Sequence, residues 1–126
     1  MRQSAKSSFQ FQPHQIVCLE GETARLYSEV IQIIYHSSGQ ETSSDPEKGW
    51  IRPLLLIDEK EESHDVRETV DLLWFLSQLR PAFDTEVFSF LVQLRTSERP
   101  LFPREKARQH LNCFLQQLLE RQFKSN

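Results

Sequence analysis

Glycine, cysteine and long apolar runs are all scarce in this chain, and each scarcity removes a class of function. The only glycines are Gly21, Gly39 and Gly49. They are too scattered to assemble a phosphate-cradling loop, which excludes nucleotide binding by the standard Gly-rich route. No Gly-x-Ser-x-Gly nucleophile elbow is present either. Cysteine is limited to Cys18 and Cys113. With no Cys-x-x-Cys pair, a zinc quartet has no foundation, and both residues are expected to be buried thiols in a reducing compartment. The longest uninterrupted apolar run, residues 72–76, has five members, far short of the roughly 20 that span a bilayer. Residues 1–8 are polar and are not followed by the apolar core of about seven residues that a secretory signal requires, so they are expected to form a disordered tail.

What is present suits a single folded domain. The chain has 126 residues, 38% of them hydrophobic, with nine Phe, and a mean hydropathy of -0.52. A domain of this length buries about two thirds of the surface its unfolded chain exposes. The expected organisation is a tail over 1–8, one domain over 9–123 and a short tail over 124–126. Residues 37–49, rich in Ser, Gly and Pro, are read as a flexible loop inserted in that domain.

The rest is organised around residues 50–57, Trp-Ile-Arg-Pro-Leu-Leu-Leu-Ile. This run is short, bounded by Gly49 and by the acidic stretch 58–62, and apolar on both parities at its end, which predicts a central buried strand. Pro53 cannot donate to a ladder, so either the strand has an edge there or a bulge lets 54–57 pair separately. A first strand broken at Pro13 covers 9–12 and 16–19, Gly21 lies in a turn, and the Ile, Val and Tyr content of 24–36 favours a second strand over a helix. An acidic loop covers 58–65, residues 66–76 alternate through a further extended segment, and Arg80-Pro81 breaks any helix at that point.

Asp84 then caps a helix that carries Val87, Phe90, Leu91 and Leu94 and ends near Arg95. Pro103 opens a second helix to about Gln122, with Ala107, Leu111, Phe114, Leu115 and Leu118 as its apolar stripe. Strands first and helices last give an α+β fold. We expect a small bent antiparallel sheet of four to five strands, in an SH3-like or Sm-like barrel, followed by two C-terminal helices.

Charge is unevenly spread. Residues 19–68 hold twelve Asp/Glu against five Lys/Arg, a net of -7, while residues 95–108 hold five Lys/Arg against two Glu, a net of +3. Arg95, Arg99, Arg104, Lys106 and Arg108 are therefore a candidate patch for nucleic acid or an acidic partner. The acidity of the strands opposes a phosphate ligand. His110 and Cys113 do not make a metal site by themselves, and Asp84 with Glu86 is explained by helix capping. No catalytic residue, metal site or cofactor is expected.

Four stretches resemble a small family of uncharacterised cyanobacterial proteins: Arg-Leu-Tyr-Ser-Glu-Val-Ile-Gln at 25–32, Trp-Ile-Arg-Pro-Leu at 50–54, Asp-Leu-Leu-Trp at 71–74 and Arg-Pro-Ala-Phe-Asp-Thr-Glu-Val at 80–87. The resemblance implies a cytoplasmic accessory protein and carries no catalytic or binding residue with it. The residues themselves point to a non-enzymatic protein-interaction module or assembly factor. Its contact residues would be Trp50, Arg52, Trp74 and Phe75, and its partner another protein or a second copy of the chain. The alternative is an RNA-binding Sm-like module working through residues 95–108.

Overall fold

The computed structural model describes residues 10–35, 46–96 and 104–124. Six strands form one antiparallel sheet: β1 (Ile16–Glu20), β2 (Arg25–Tyr35), β3 (Pro46–Ile57), β4 (Ser63–Asp65), β5 (Leu72–Phe75) and β6 (Leu79–Pro81). Two helices follow, α1 (Asp84–Thr96) and α2 (Arg104–Lys124). The fold is α+β, and the hydrophobic run at 50–57 lies in its central strand. β3 pairs with β2 along one side and with both β4 and β5 along the other.

The sheet bends without closing. Its order is β4-β3-β2-β1-β6, with β5 on β3 beside β4, so the expected SH3-like or Sm-like barrel is not formed. A 3-10 turn, Leu76–Gln78, carries the chain from β5 on one edge to β6 on the other. No ladder joins β5 to β6. Bending arises from breaks in the β2–β3 register. Tyr27 faces Leu55 and Ser28 faces Pro53, so Leu54 has no opposite residue, and Ile31 is the extra residue between Val30 and Gln32. Each such bulge kinks the strand and increases its twist. The bulge beside Pro53 leaves Leu54 unpaired and lets 55–57 pair as a separate segment, and the freed Leu54 carbonyl accepts the Val66 amide at 3.1 Å.

Other expectations shift in detail. The strand reading of 24–36 holds over Arg25–Tyr35, but β3 begins at Pro46, so 46–49 belong to the sheet and only 37–45 of the expected loop lie outside the described residues. β4 occupies the end of the acidic stretch expected to be loop. In the segment 66–76 only four residues form strand. Residues 66–69 instead make a compact turn, in which the Thr69 amide and hydroxyl both donate to the Val66 carbonyl.

Two layers cover the sheet. On the inner face Val17, Leu19, Leu26, Val30, Ile51 and Leu56 pack with Trp74, Leu76 and Leu79 against the α2 stripe Ala107, Leu111, Phe114 and Leu118. That stripe is the one its helical spacing predicts. α2 comes so close to the β1–β2 turn that a Cβ on Gly21 would lie 2.9 Å from the Phe114 ring and 3.2 Å from the Ala24 carbonyl oxygen. Gly21 is thus required for space. On the outer face a smaller cluster of Cys18, Tyr27, Leu55 and Ile57 receives Ala82 and Val87 at the start of α1.

The base of α1 is held by a polar network. Glu86 accepts from Arg80 Nη1 at 3.0 Å and Nη2 at 3.1 Å, from the Tyr27 hydroxyl, and from the Phe83 amide at 2.8 Å. The last contact is the reach-back of a capping box. Phe83, then, occupies the cap position expected for Asp84, which is exposed in the first turn. Burial pushes the Tyr27 hydroxyl up to about 12, helped by its bond to Glu86. Cys18 beneath it is buried as expected and its thiol is pushed to about 12 by burial, leaving it unreactive. Cys113 is exposed, contrary to expectation, because its position on α2 falls outside the stripe that meets the sheet.

Candidate functional site

Val87, at the start of α1, packs on the half of the outer sheet face that carries Cys18, Tyr27, Leu55 and Ile57. The other half carries a group of exposed aromatic and charged side chains contributed by β3 and β5. Antiparallel pairing sets Trp50 opposite Leu73 and Lys48 opposite Phe75. Residues 48, 50 and 52 on β3 and 73 and 75 on β5 therefore share this face, since side chains alternate along a strand. Trp50 is 36% exposed, Phe75 39% and Leu73 59%. These values are high for large apolar side chains meeting across a ladder.

One carboxylate organises the group. Asp71, just before β5, accepts the Trp50 indole N–H at 2.9 Å, and Arg52 donates to the same carboxylate through Nε at 3.2 Å and Nη2 at 3.4 Å. Partial burial works against the charge of Asp71, but the donors Arg52 and Trp50 prevail and hold its carboxyl below the ordinary range. Lys48 lies over the Phe75 ring, 5.4 Å from the centroid. The result is an aromatic and cationic surface whose two largest side chains are fixed before anything binds.

The structure separates the residues that the sequence had grouped. Trp50, Arg52 and Phe75 come together as expected. Trp74 does not join them: it is 9% exposed, packs in the inner core and donates its indole N–H to Gln78 at 2.9 Å. Alternation explains the correction, because Trp74 and Phe75 are neighbours on one strand and must point to opposite faces. Asp71 and Leu73 were missed. Their signal was available in the Asp-x-Leu-x-Phe spacing, which places 71, 73 and 75 on one side of an extended chain.

The basic stretch is less assembled. Lys106 and Arg108 are exposed on α2, and Arg108 pairs with Glu105 at 3.4 Å. Arg95 and Arg104 belong to α1 and α2, but their side chains lie outside the described set, as does Arg99 entirely.

Two further arrangements were not foreseen. A cleft of about 360 Å³ opens between the outer face and α1, lined by Arg25, Tyr27, Glu61, Thr85, Glu86 and Ser89 among others. Its charged groups are engaged with one another, Arg25 with Glu61 at 3.3 Å and Glu86 with Arg80. At the β3–β4 turn, His64 is buried, meets Asp58 at 2.9 Å and stacks on His110. Asp58, Glu62 and His64 are a set that can hold a metal ion, and His110 meets that set through its ring stack on His64.

Among the described residues no helix is long and apolar enough to cross a membrane. Comparison of the chain with family models, with curated proteins and with solved structures finds no match.

Proposed function

We propose that the protein is a non-enzymatic interaction module that docks a protein partner on the uncovered half of its outer sheet face. One observation carries this reading: Asp71 locks Trp50 and Arg52 side by side, next to exposed Leu73 and Phe75. Tryptophan and arginine are the residues most enriched among binding hot spots. A side chain already immobilised in the free protein loses less conformational entropy on association, a cost of about 0.5–1.5 kcal/mol per ordered side chain. Asp71 thus prepares two anchors for binding.

The charge of the face narrows the partner. Arg52 is partly neutralised by Asp71, but Lys48 has only the Phe75 ring as a neighbour of complementary character, with no carboxylate in ion-pair reach among the described residues. The complementary surface is a protein segment with apolar side chains for Trp50, Leu73 and Phe75 and a carboxylate for Lys48. The accessory role implied by the resemblance over residues 25–87, and its cytoplasmic setting, accord with such a module.

Two variants test the reading. Leu73→Asp and Lys48→Glu each change an exposed or partly exposed side chain on this face, so circular dichroism should match the parent. Affinity isolation from nuclease-treated native lysate should retain a defined protein set on the parent chain, lose most of it on Leu73→Asp and weaken it on Lys48→Glu. The same proteins bound by all three chains would place the docking surface elsewhere. Loss of the bound material on nuclease treatment, with sensitivity to Lys106→Glu/Arg108→Glu, would instead favour nucleic-acid binding through the basic stretch.

A further inference from the structure

The turn joining β3 to β4 draws three metal-binding side chains into one place. Its backbone is closed by the Asp58 amide donating to the Glu62 carbonyl at 3.0 Å and the Glu61 amide to the Asp58 carbonyl at 2.9 Å. Glu61 adopts the left-handed conformation, with φ of 64°, to complete it. Asp58 Oδ1 accepts the Lys60 and Glu62 amides at 2.9 Å each, leaving Oδ2 to face His64 Nε2, also at 2.9 Å. His64 is only 5% exposed, and its ring lies on His110 of α2 with centroids 4.2 Å apart and planes inclined by 23°. One ligand atom each from Asp58, Glu62 and His64 lies within 4.8 Å of the others.

We propose that Asp58, Glu62 and His64 form a binding site for a divalent transition-metal ion. The separation of the first two donors supports it. Two ligands held at a right angle on one ion, with bonds of 2.0–2.1 Å, are about 2.9 Å apart. An ion can therefore replace the proton between Asp58 and His64 at the same separation, with the imidazole and the carboxylate turning to face it. Glu62 supplies the third donor, and its amide is already fixed to Asp58.

The donor set is one imidazole with two carboxylates. That chemistry suits zinc, cobalt or manganese and matches the charge of a dication. Exposed Glu62 leaves the outer side of the ion open to water. An acidic surface turn alone would not carry this inference. The buried imidazole does, because its stack on His110 and its bond to Asp58 orient the ligating nitrogen in advance, as outer groups do in metal centres. Binding would also tie the turn, through the stacked rings, to the helix that covers the inner face.

The test uses the full chain without a tag, stripped by chelator, in a Cys113→Ser background so that the exposed thiol does not compete. Cobalt(II) is the probe, read by its visible absorption bands, with calorimetric titration of zinc(II) and manganese(II) alongside. One ion per chain should bind and raise the melting temperature. Glu62→Gln alters an exposed side chain and leaves the fold intact; it should weaken binding by about tenfold or more, and Asp58→Asn should abolish it. Absence of saturable binding at millimolar metal, or binding that either substitution leaves unchanged, would overturn the proposal. None of these residues belongs to the docking face, so the two readings fail independently.

Discussion

Glu86 receives four hydrogen bonds on two oxygens, from Arg80, Tyr27 and the Phe83 amide. Arg80 is the main reason that its carboxyl is held down to about 2, against an ordinary value of 4.5, with burial opposing. A folded-state value below the unfolded one makes the contribution complete above about pH 4.5 and loses it as pH falls toward 2. Urea-unfolding midpoints measured across that interval should drop steeply for the parent chain and less steeply for Glu86→Gln. Equal slopes would show that the network does not stabilise α1. The Asp-Thr-Glu signature at 84–86 made the acidic first turn legible in the sequence, but Arg80 and Tyr27 could not be read as its partners, because Tyr27 lies 59 positions away. A similar limit applied to Trp74 and Trp50: alternation says that neighbours face opposite ways, and only the fold decides which way is inward.

The two helices differ in what holds them. α2 was legible because its apolar positions recur at i, i+3, i+4 and i+7, and the sheet accepts that whole stripe. α1 shows a comparable pattern, yet among its described side chains only Val87 near its start packs against the outer cluster, while Phe88 is 73% exposed, Leu91 46% and Val92 48%. Periodicity reports that a helix has an apolar face and is silent about how much of the fold meets it. Phe114→Ala should therefore cost about 3–5 kcal/mol by removing a ring from the inner core, whereas Phe88→Ala should stay within about 0.5 kcal/mol. Denaturant unfolding monitored by far-UV circular dichroism measures both. Equal losses would mean that α1 is seated more deeply than its exposure indicates. The short strands β4 and β6, of three residues each, were illegible for another reason: pairing with a longer neighbour, not local pattern, makes them strands.

At the scale of the whole molecule, the α+β class and the central position of 50–57 followed from composition and order, while closure of the sheet did not. Whether a curled sheet meets itself depends on strand lengths and bulges that no period reveals. The two tryptophans offer a test of the assembled arrangement, since one lies on the outer face and the other in the inner core. Iodide should quench part of the fluorescence, and Trp50→Phe should leave a blue-shifted emission that iodide hardly touches. Strong quenching of that remaining emission would remove Trp74 from the core.

The placement of α2 also has a consequence in time. Synthesis completes the sheet at Pro81, but the helix that covers its inner face begins only at Arg104. α1 is made in between and goes to the opposite side. A nascent chain therefore carries Leu19, Leu26, Val30 and Ile51 without their cover while that interval is translated, and unshielded apolar surface of this kind favours aggregation. Emergence of α2 ends this exposure, so the chain is most vulnerable just before its inner core can form.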